Sequence, residues 1–377
     1  MKKLVLTAIA SFCFFSSAFA LSWSGLIDNN SSASSNHDFS KIDLNQSNGI
    51  YLSINSDLTE DGSLKLAAEG LYKYSFNFNT DTKKTSFMNI ADCDLLKISG
   101  SWSLGNGAVL LNAGRFLFSD FSGSVFSQTS DGFYVSYDTL KIGTSLYGGY
   151  TGLLNRLNVS MVENKYESDD QFYRLCPSYI PVAVDFSYKA LFETNTIGAQ
   201  AEAFIPVSDE NTIKAYGTLS FSGLLGTVGN YNAKLIAGSE KFENLMLDAK
   251  LDLGFFLGTS TMFSLGGEYV SGEQGGLKPF VTITSRSFGH SGAENGVIVP
   301  NASVIYAAGK IYAGLTEMAI LKMPKDEVKL DGFDTGVNIL YNLFSDVQIG
   351  CDIGAYICTE NKERSNYSAT LKASLAF

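Results

Sequence analysis

The residues of this chain that could do chemistry are charged, and they recur at every second position. Asp248, Lys250 and Asp252 form one row; Lys65, Glu69 and Lys73 form another; Asp185 with Lys189 and Asp346 with Asp352 form two more. Lys97, Glu202, Glu268 and Lys372 fall in segments with the same rhythm. A period of two lines such residues up on one face of a β-strand. Rows of fixed charge break no bonds; they attract, repel and pass ions and polar solutes. Bond-making chemistry has few candidates. His37 and His290 are the only histidines, both in stretches that read as loops, and no Ser-His-Asp arrangement can be argued from them. Cys93, Cys176, Cys351 and Cys358 have no zinc-ligand spacing. The reading is therefore no enzyme, no metal and no cofactor. A disulfide between Cys93 and Cys176 is open, whereas Cys351 and Cys358 lie about 24 Å apart along one strand, too far to bond.

The elements that must position these charges are long strands. Leu64, Leu66, Ala68, Gly70, Tyr72, Tyr74, Phe76 and Phe78 alternate with Lys65, Glu69 and Lys73, and Leu245 to Phe255 alternates with the 248–252 row. Val182, Val184, Phe186 and Tyr188 flank Asp185, and Val347, Ile349, Cys351 and Ile353 flank Asp352. Each segment runs about ten residues or more, enough to cross a bilayer at a tilt, whereas sandwich strands are usually about five or six. The final strand keeps Tyr367, Ala369, Leu371, Ala373, Leu375 and Phe377 on one face and Ser368, Thr370, Lys372 and Ser374 on the other. A closing strand of this kind, ending on Phe, resembles the C-terminal strand of bacterial outer-membrane β-barrels. The resemblance implies that Tyr367 and Phe377 belong to a signal read by the barrel-assembly machinery. It also implies a closed sheet around a lumen.

The other end points to the same compartment. Lys2 and Lys3 precede the apolar run Leu4 to Phe15, and Ala18-Phe19-Ala20 has small-x-small form, so residues 1–20 read as a cleaved signal peptide and 21–377 as one barrel domain. No later stretch is apolar enough for a membrane helix, which leaves a barrel possible. Removing Lys2 and Lys3 leaves 25 of 27 basic residues against 38 acidic ones, a net charge of −13 that argues against nucleic-acid binding.

The alternation gives an all-β, transmembrane antiparallel barrel of about 18 strands, or 16 if the short first strand merges with its neighbour. The early strands are read at 21–27, 49–57, 63–79 and 92–104. Short turns such as Gly105-Asn106-Gly107 and Glu193-Thr194-Asn195 fall at the periplasmic end. Longer polar connections, Asp28–Asn48, Thr80–Ala91, Ser119–Ser130, Leu153–Ile180 and Gly272–Gly296, face outward. Pro279 to Ser285 belongs to an external loop, because an extra strand would make the count odd. The acidic run Glu163, Glu167, Asp169 and Asp170 reads as a solvated face.

With the apolar phase on lipid, Lys73, Lys97, Lys189, Glu202, Asp248, Lys250, Asp252, Glu268 and Asp352 face inward. That many charges in a dry core would be ruinous unless paired, so water is expected to wet them. Asn112-Ala113-Gly114-Arg115-Phe116, a polar loop and then Asp131-Gly132-Phe133 resemble a recurring arrangement in porins, where the Arg projects into the channel beside an infolded loop. With Phe116 and Phe118 on lipid, Arg115 would line a constriction against Asp120 or Asp131; in the other phase it snorkels at the outer rim. The resemblance implies a porin-like channel in the outer membrane for passive diffusion of small hydrophilic solutes and ions. The slight excess of inward acid adds a mild cation preference. A non-conducting barrel acting as adhesin or antigen through its external loops is the alternative, followed by an uptake channel for hydrophobic molecules. Membrane lipids and a homo-oligomeric state complete the expected partners, although no interface signature is present.

Overall fold

The computed structural model describes residues 21–162, 172–208, 212–324 and 327–377. The strands are β1 (Leu21–Asn36), β2 (Ile42–Asp57), β3 (Leu64–Asn79), β4 (Lys84–Leu104), β5 (Gly107–Ser119) and β6 (Ser127–Thr139). Next come β7 (Ile142–Tyr150), β8 (Tyr179–Leu191), β9 (Asn195–Pro206), β10 (Lys214–Leu224), β11 (Gly229–Glu240) and β12 (Met246–Leu257). The last are β13 (Thr261–Val270), β14 (Val297–Ala308), β15 (Ile311–Lys322), β16 (Lys329–Asn342), β17 (Val347–Cys358) and β18 (Asn366–Ala376). Each pairs antiparallel with its neighbours in sequence, and β1 pairs with β18 from Leu26↔Ala376 to Asn36↔Asn366. The sheet is thus a closed ring of 18 strands, as the alternation indicates.

Closure depends on a close approach. The backbone N–H and C=O of Phe377 bond to Gly25 at 2.9 and 2.7 Å, and the Phe377 ring lies over the glycine so closely that a Cβ there would overlap it. Trp23 meets the same ring edge-on, with centroids 6.2 Å apart. Trp23, Trp102, Phe192, Phe256, Phe344 and Phe377 are all exposed near the strand ends that carry the short turns, where an aromatic girdle sits on a membrane interface. Above them the outer phase is apolar all round: Leu96, Val184, Phe186, Leu219, Leu251, Ile339, Ile353 and Leu371 are exposed. So much exposed apolar surface suits hydrocarbon rather than water.

Two outer loops are much shorter than expected. The Asp28–Asn48 segment is mostly strand, with only residues 37–41 turning, and β4 begins at Lys84 instead of Asp92. The first strand is 16 residues long, and β4 reaches 21. β7, at 9 residues, already meets the length a bilayer needs. The tops of β1 to β4 therefore stand clear of the membrane with water on both faces. Nothing there enforces alternation, and polar cross-strand bonds replace it: Asn29 donates to Asn48 at 2.6 Å and Ser31 to Gln46 at 3.1 Å. Residues 279–285 lie outside the strands, in the 271–296 loop.

The inner phase differs more from expectation. Phe116, Phe118, Tyr147, Phe204, Tyr216, Ile236, Met246, Val270, Val297, Val299 and Ile320 are buried on the lumen side of β5 to β15. Three external segments fold in and pack on them. The four cysteines among the described residues are free, including Cys93 and Cys176. Glu163, Glu167, Asp169, Asp170 and residues 1–20 lie outside the described residues.

Replacing Gly25 with Val should overpack the Phe377 seam and cost about 1–3 kcal/mol. The readout is a lower urea midpoint and a lower temperature for the electrophoretic shift of the folded barrel. An unchanged midpoint would mean that the terminal ring is free to move aside.

Candidate functional site

The lumen is shaped by a hairpin that leaves the wall. The β4–β5 ladder runs only from Leu104↔Gly107 to Leu96↔Arg115, and the β6–β7 ladder stops at Asp131↔Tyr150. Beyond those pairs, residues 116–119 ladder only with residues 127–130. The departure point is a row of glycines in register, Gly114↔Gly132↔Gly149. Gly114 has φ +117, and a Cβ on Gly114 or Gly132 would overlap the neighbouring strand's carbonyl oxygen. Only glycine permits so sharp an inward fold here.

The hairpin then lies against the inner wall. Phe118 stacks on Tyr147 with centroids 3.7 Å apart, and Phe126 meets Phe204 at 5.3 Å. The Phe121 N–H donates to Gln200 Oε1 at 2.8 Å, and Lys234 Nζ donates to the Ser122 carbonyl at 3.1 Å. Asp120 accepts from the N–H of Gly123 and of Val125, holding the tip closed. The other two segments join at Val125, whose carbonyl accepts from Ile283 N–H at 2.9 Å and Thr284 N–H at 3.1 Å. The Ile283 carbonyl accepts from Val162 N–H at 3.0 Å. At this meeting point a cavity of about 380 Å³ is lined by Lys73, Asp94, Leu117, Ser127, Asn158, Ser160, Ser285 and Arg286.

The infolding sorts the charged residues into covered and uncovered sets. Glu202 is inward but only 5 % exposed, beneath the hairpin, so it does not line open space. Asp248 and Glu268 are inward but covered too, because Arg286 Nη1 reaches Asp248 Oδ2 at 2.7 Å and Glu268 Oε1 at 3.0 Å. The guanidinium is also packed between the Phe280 and Phe288 rings, at 5.6 and 5.2 Å from their centroids. Lys73, Lys97, Lys189, Lys250, Asp252 and Asp352 stay partly exposed on inner faces. Lys73 Nζ donates to Asn158 Oδ1 at 2.9 Å, and Lys250 lies 3.6 Å from Asp252 and 4.0 Å from Glu268. Lys189 pairs with Asp138, and Asp352 with Lys372. Lys97 borders the lower lumen beside Lys65, Asp57 and Asn55.

Arg115 does not line the constriction against Asp120. Phe116 and Phe118 face inward, which puts Arg115 on the outer phase at the top of the β4–β5 ladder. There it bonds Asp131 through both Nε and Nη2 at 2.8 Å, and it donates to the carbonyls of Cys93 and Leu153 at 3.1 Å. It fills the seam that the hairpin opens.

One constellation was not legible in the sequence. His290, from the 271–296 loop, reaches the opposite inner wall. Its Nε2 lies 2.8 Å from Ser368 Oγ on β18 and its Nδ1 3.3 Å from Asp334 Oδ1 on β16. The alternation puts Asp334 and Ser368 on the inner phase, but nothing in it points to a loop residue as their partner.

No family model and no curated protein matches the sequence. Solved structures do. Pseudomonas aeruginosa OccK7 (OpdD) is 13% identical with a TM-score of 0.66, covering 95% of this chain and 99% of that one. The outer membrane protein OpdK of the same organism is 11% identical with a TM-score of 0.64, covering 95% and 98%. Acinetobacter baumannii OccAB4 is 11% identical with a TM-score of 0.60, covering 95% and 98%. The fold is that of these outer-membrane barrels. At such identities the likeness is one of architecture, and the side chains in the lumen are this chain's own.

Arg286→Ala would strand two buried carboxylates and should cost about 3–5 kcal/mol. The check is thermal unfolding together with protease cleavage of the 271–296 loop; an unchanged melt and an uncut loop would refute the pairing.

Proposed function

We propose that this chain is a porin-like outer-membrane channel for passive diffusion of small hydrophilic solutes and ions, with a mild cation preference. The observation that carries the reading is the partly exposed charge on the inner faces: Lys73 on β3, Asp94 and Lys97 on β4, Lys189 on β8, Lys250 and Asp252 on β12, and Asp352 on β17. Infolded segments pack on the apolar inward residues of β5 to β15 and leave these charges partly exposed. A barrel of about 18 strands is wide enough for water to pass. Size exclusion comes from the meeting of the three segments near Lys73 and Arg286. Ion preference comes from Asp57, Glu69, Asp94, Asp138, Asp185, Asp252 and Asp352 set against Lys65, Lys73, Lys97, Lys189, Lys250 and Lys372, with acids slightly ahead. We further read residues 1–20 as the export signal, and Tyr367 with Phe377 as the part offered to the barrel-assembly machinery. The described parts of the two longest loops turn into the lumen, which supports transport over surface adhesion.

Planar-bilayer recording of the refolded protein tests the reading. Stable unitary steps are expected. The reversal potential in a salt gradient should favour cations, and the preference should shrink as ionic strength rises and charges are screened. Anion preference would refute the charge assignment, and silence at all voltages would refute the channel.

A further inference from the structure

The Ser368, His290 and Asp334 constellation has a hydrogen-bond order that simple docking of a loop does not require. The Asp334 side chain is 2 % exposed and accepts from the His290 backbone N–H at 2.5 Å, so the carboxylate is fixed. Its other oxygen faces Nδ1, which favours the tautomer with the proton on Nδ1. Nε2 is then a lone-pair acceptor, 2.8 Å from the Ser368 hydroxyl. The ring has no freedom to turn away, because it lies against Gly354 of β17 so closely that a Cβ there would overlap three of its atoms. The His290 carbonyl is held by Asn366 Nδ2 at 3.0 Å. A hydroxyl within reach of a base, with the base oriented by a third group, is the arrangement that activates a serine nucleophile. Ser34 on β1 pairs in register with Ser368, placing a second hydroxyl on the same face, where an oxyanion would need a donor.

We propose that Ser368 is a nucleophile on the lumen wall that cleaves esters of small hydrophilic solutes, with His290 as its base and Asp334 as the residue that positions the base. Ser368 Oγ bonds to the ester carbonyl carbon while His290 Nε2 takes the hydroxyl proton. The C–O bond to the leaving alcohol breaks, and that oxygen receives the proton from His290. Water, deprotonated by the same imidazole, then releases the acid and restores the serine. The step consumes one water and needs no oxidant or metal.

The reaction is separate from conductance, because a detergent-solubilised barrel admits solute whether or not it conducts in a bilayer. The test uses the refolded full chain with a fluorophosphonate probe, which phosphonylates an activated serine and expels fluoride. Peptide mass spectrometry should place the adduct on Ser368, and Ser368→Ala should abolish it. His290→Asn keeps a side-chain donor toward Asp334 and should slow labelling about 100-fold. Electrophoretic mobility verifies that each variant is folded. Labelling should also rise with pH as the imidazole loses its proton. The bond to Asp334 outweighs burial and raises the His290 pKa above the usual histidine value, so the rise should come at higher pH than for a free imidazole. Asp334 is the ionisable group bonded to the ring; Asp352 and Lys372, next along β17 and β18, pair with each other. No adduct on Ser368 in the folded protein, or equal labelling of His290→Asn, would overturn the assignment.

Discussion

A sheet that crosses hydrocarbon can leave no backbone donor or acceptor unpaired, and the rest of this molecule depends on that constraint. It is met by closing the ring at β1 and β18, where Phe377 bonds both ways to Gly25. Once the ladders satisfy the backbone, lipid dictates only the outward side chains. The inward ones are free to serve other ends. The chain uses that freedom in two ways: apolar inward residues hold the infolded segments, and the inward residues left uncovered keep their charges.

The infolded hairpin obeys the same constraint inside the lumen. Residues 116–119 and 127–130 leave their wall neighbours but go on pairing with each other, so the departure strands few backbone groups. Its even-numbered side chains, Phe116, Phe118, Gln128 and Ser130, pack toward the wall. Leu117 and Ser127 are turned to the cavity. Arg115 and Asp131 sit at the pivot. The guanidinium takes up the Cys93 carbonyl, on the β4 edge that the hairpin no longer covers.

These facts explain what could be read beforehand. Alternation records different solvents on the two sides of a strand. It was therefore clear for Val182 to Tyr188 or Val347 to Ala355, and with it the number of strands and the inward phase of Lys250 or Asp352. At the tops of β1 and β2 both sides are wet, and Asn29 to Asn36 carry no rhythm, so strand was taken for loop. Phe116 and Phe118, expected on lipid, run the opposite way. They turn inward and pack on the Tyr147 ring, and an apolar side chain says nothing about whether lipid or a folded segment covers it. His290 was illegible for the same reason: its partners are more than forty residues away, on strands it meets only because the loop crosses the lumen.

The sorting of charge also limits how selective the lumen can be. Covered acids such as Asp248 and Glu268 share Arg286, and their field is largely spent within a few ångströms. The residues a passing ion would meet are fewer, and most come in opposite pairs: Lys250 with Asp252, Asp352 with Lys372, Lys189 with Asp138. At 4 Å one unit charge acts on another with about 1 kcal/mol in water and about 4 kcal/mol near a protein surface. A paired charge offers a passing ion only the difference between two such terms. The net charge of −11 therefore overstates the selectivity of the passage. Asp94 is held by the neutral Asn158 amide at 2.9 Å instead of by a cation, and it lines the cavity where the three segments meet. It can act on a solute with less cancellation than the paired acids, and the cation preference we propose rests more on this residue than on the total.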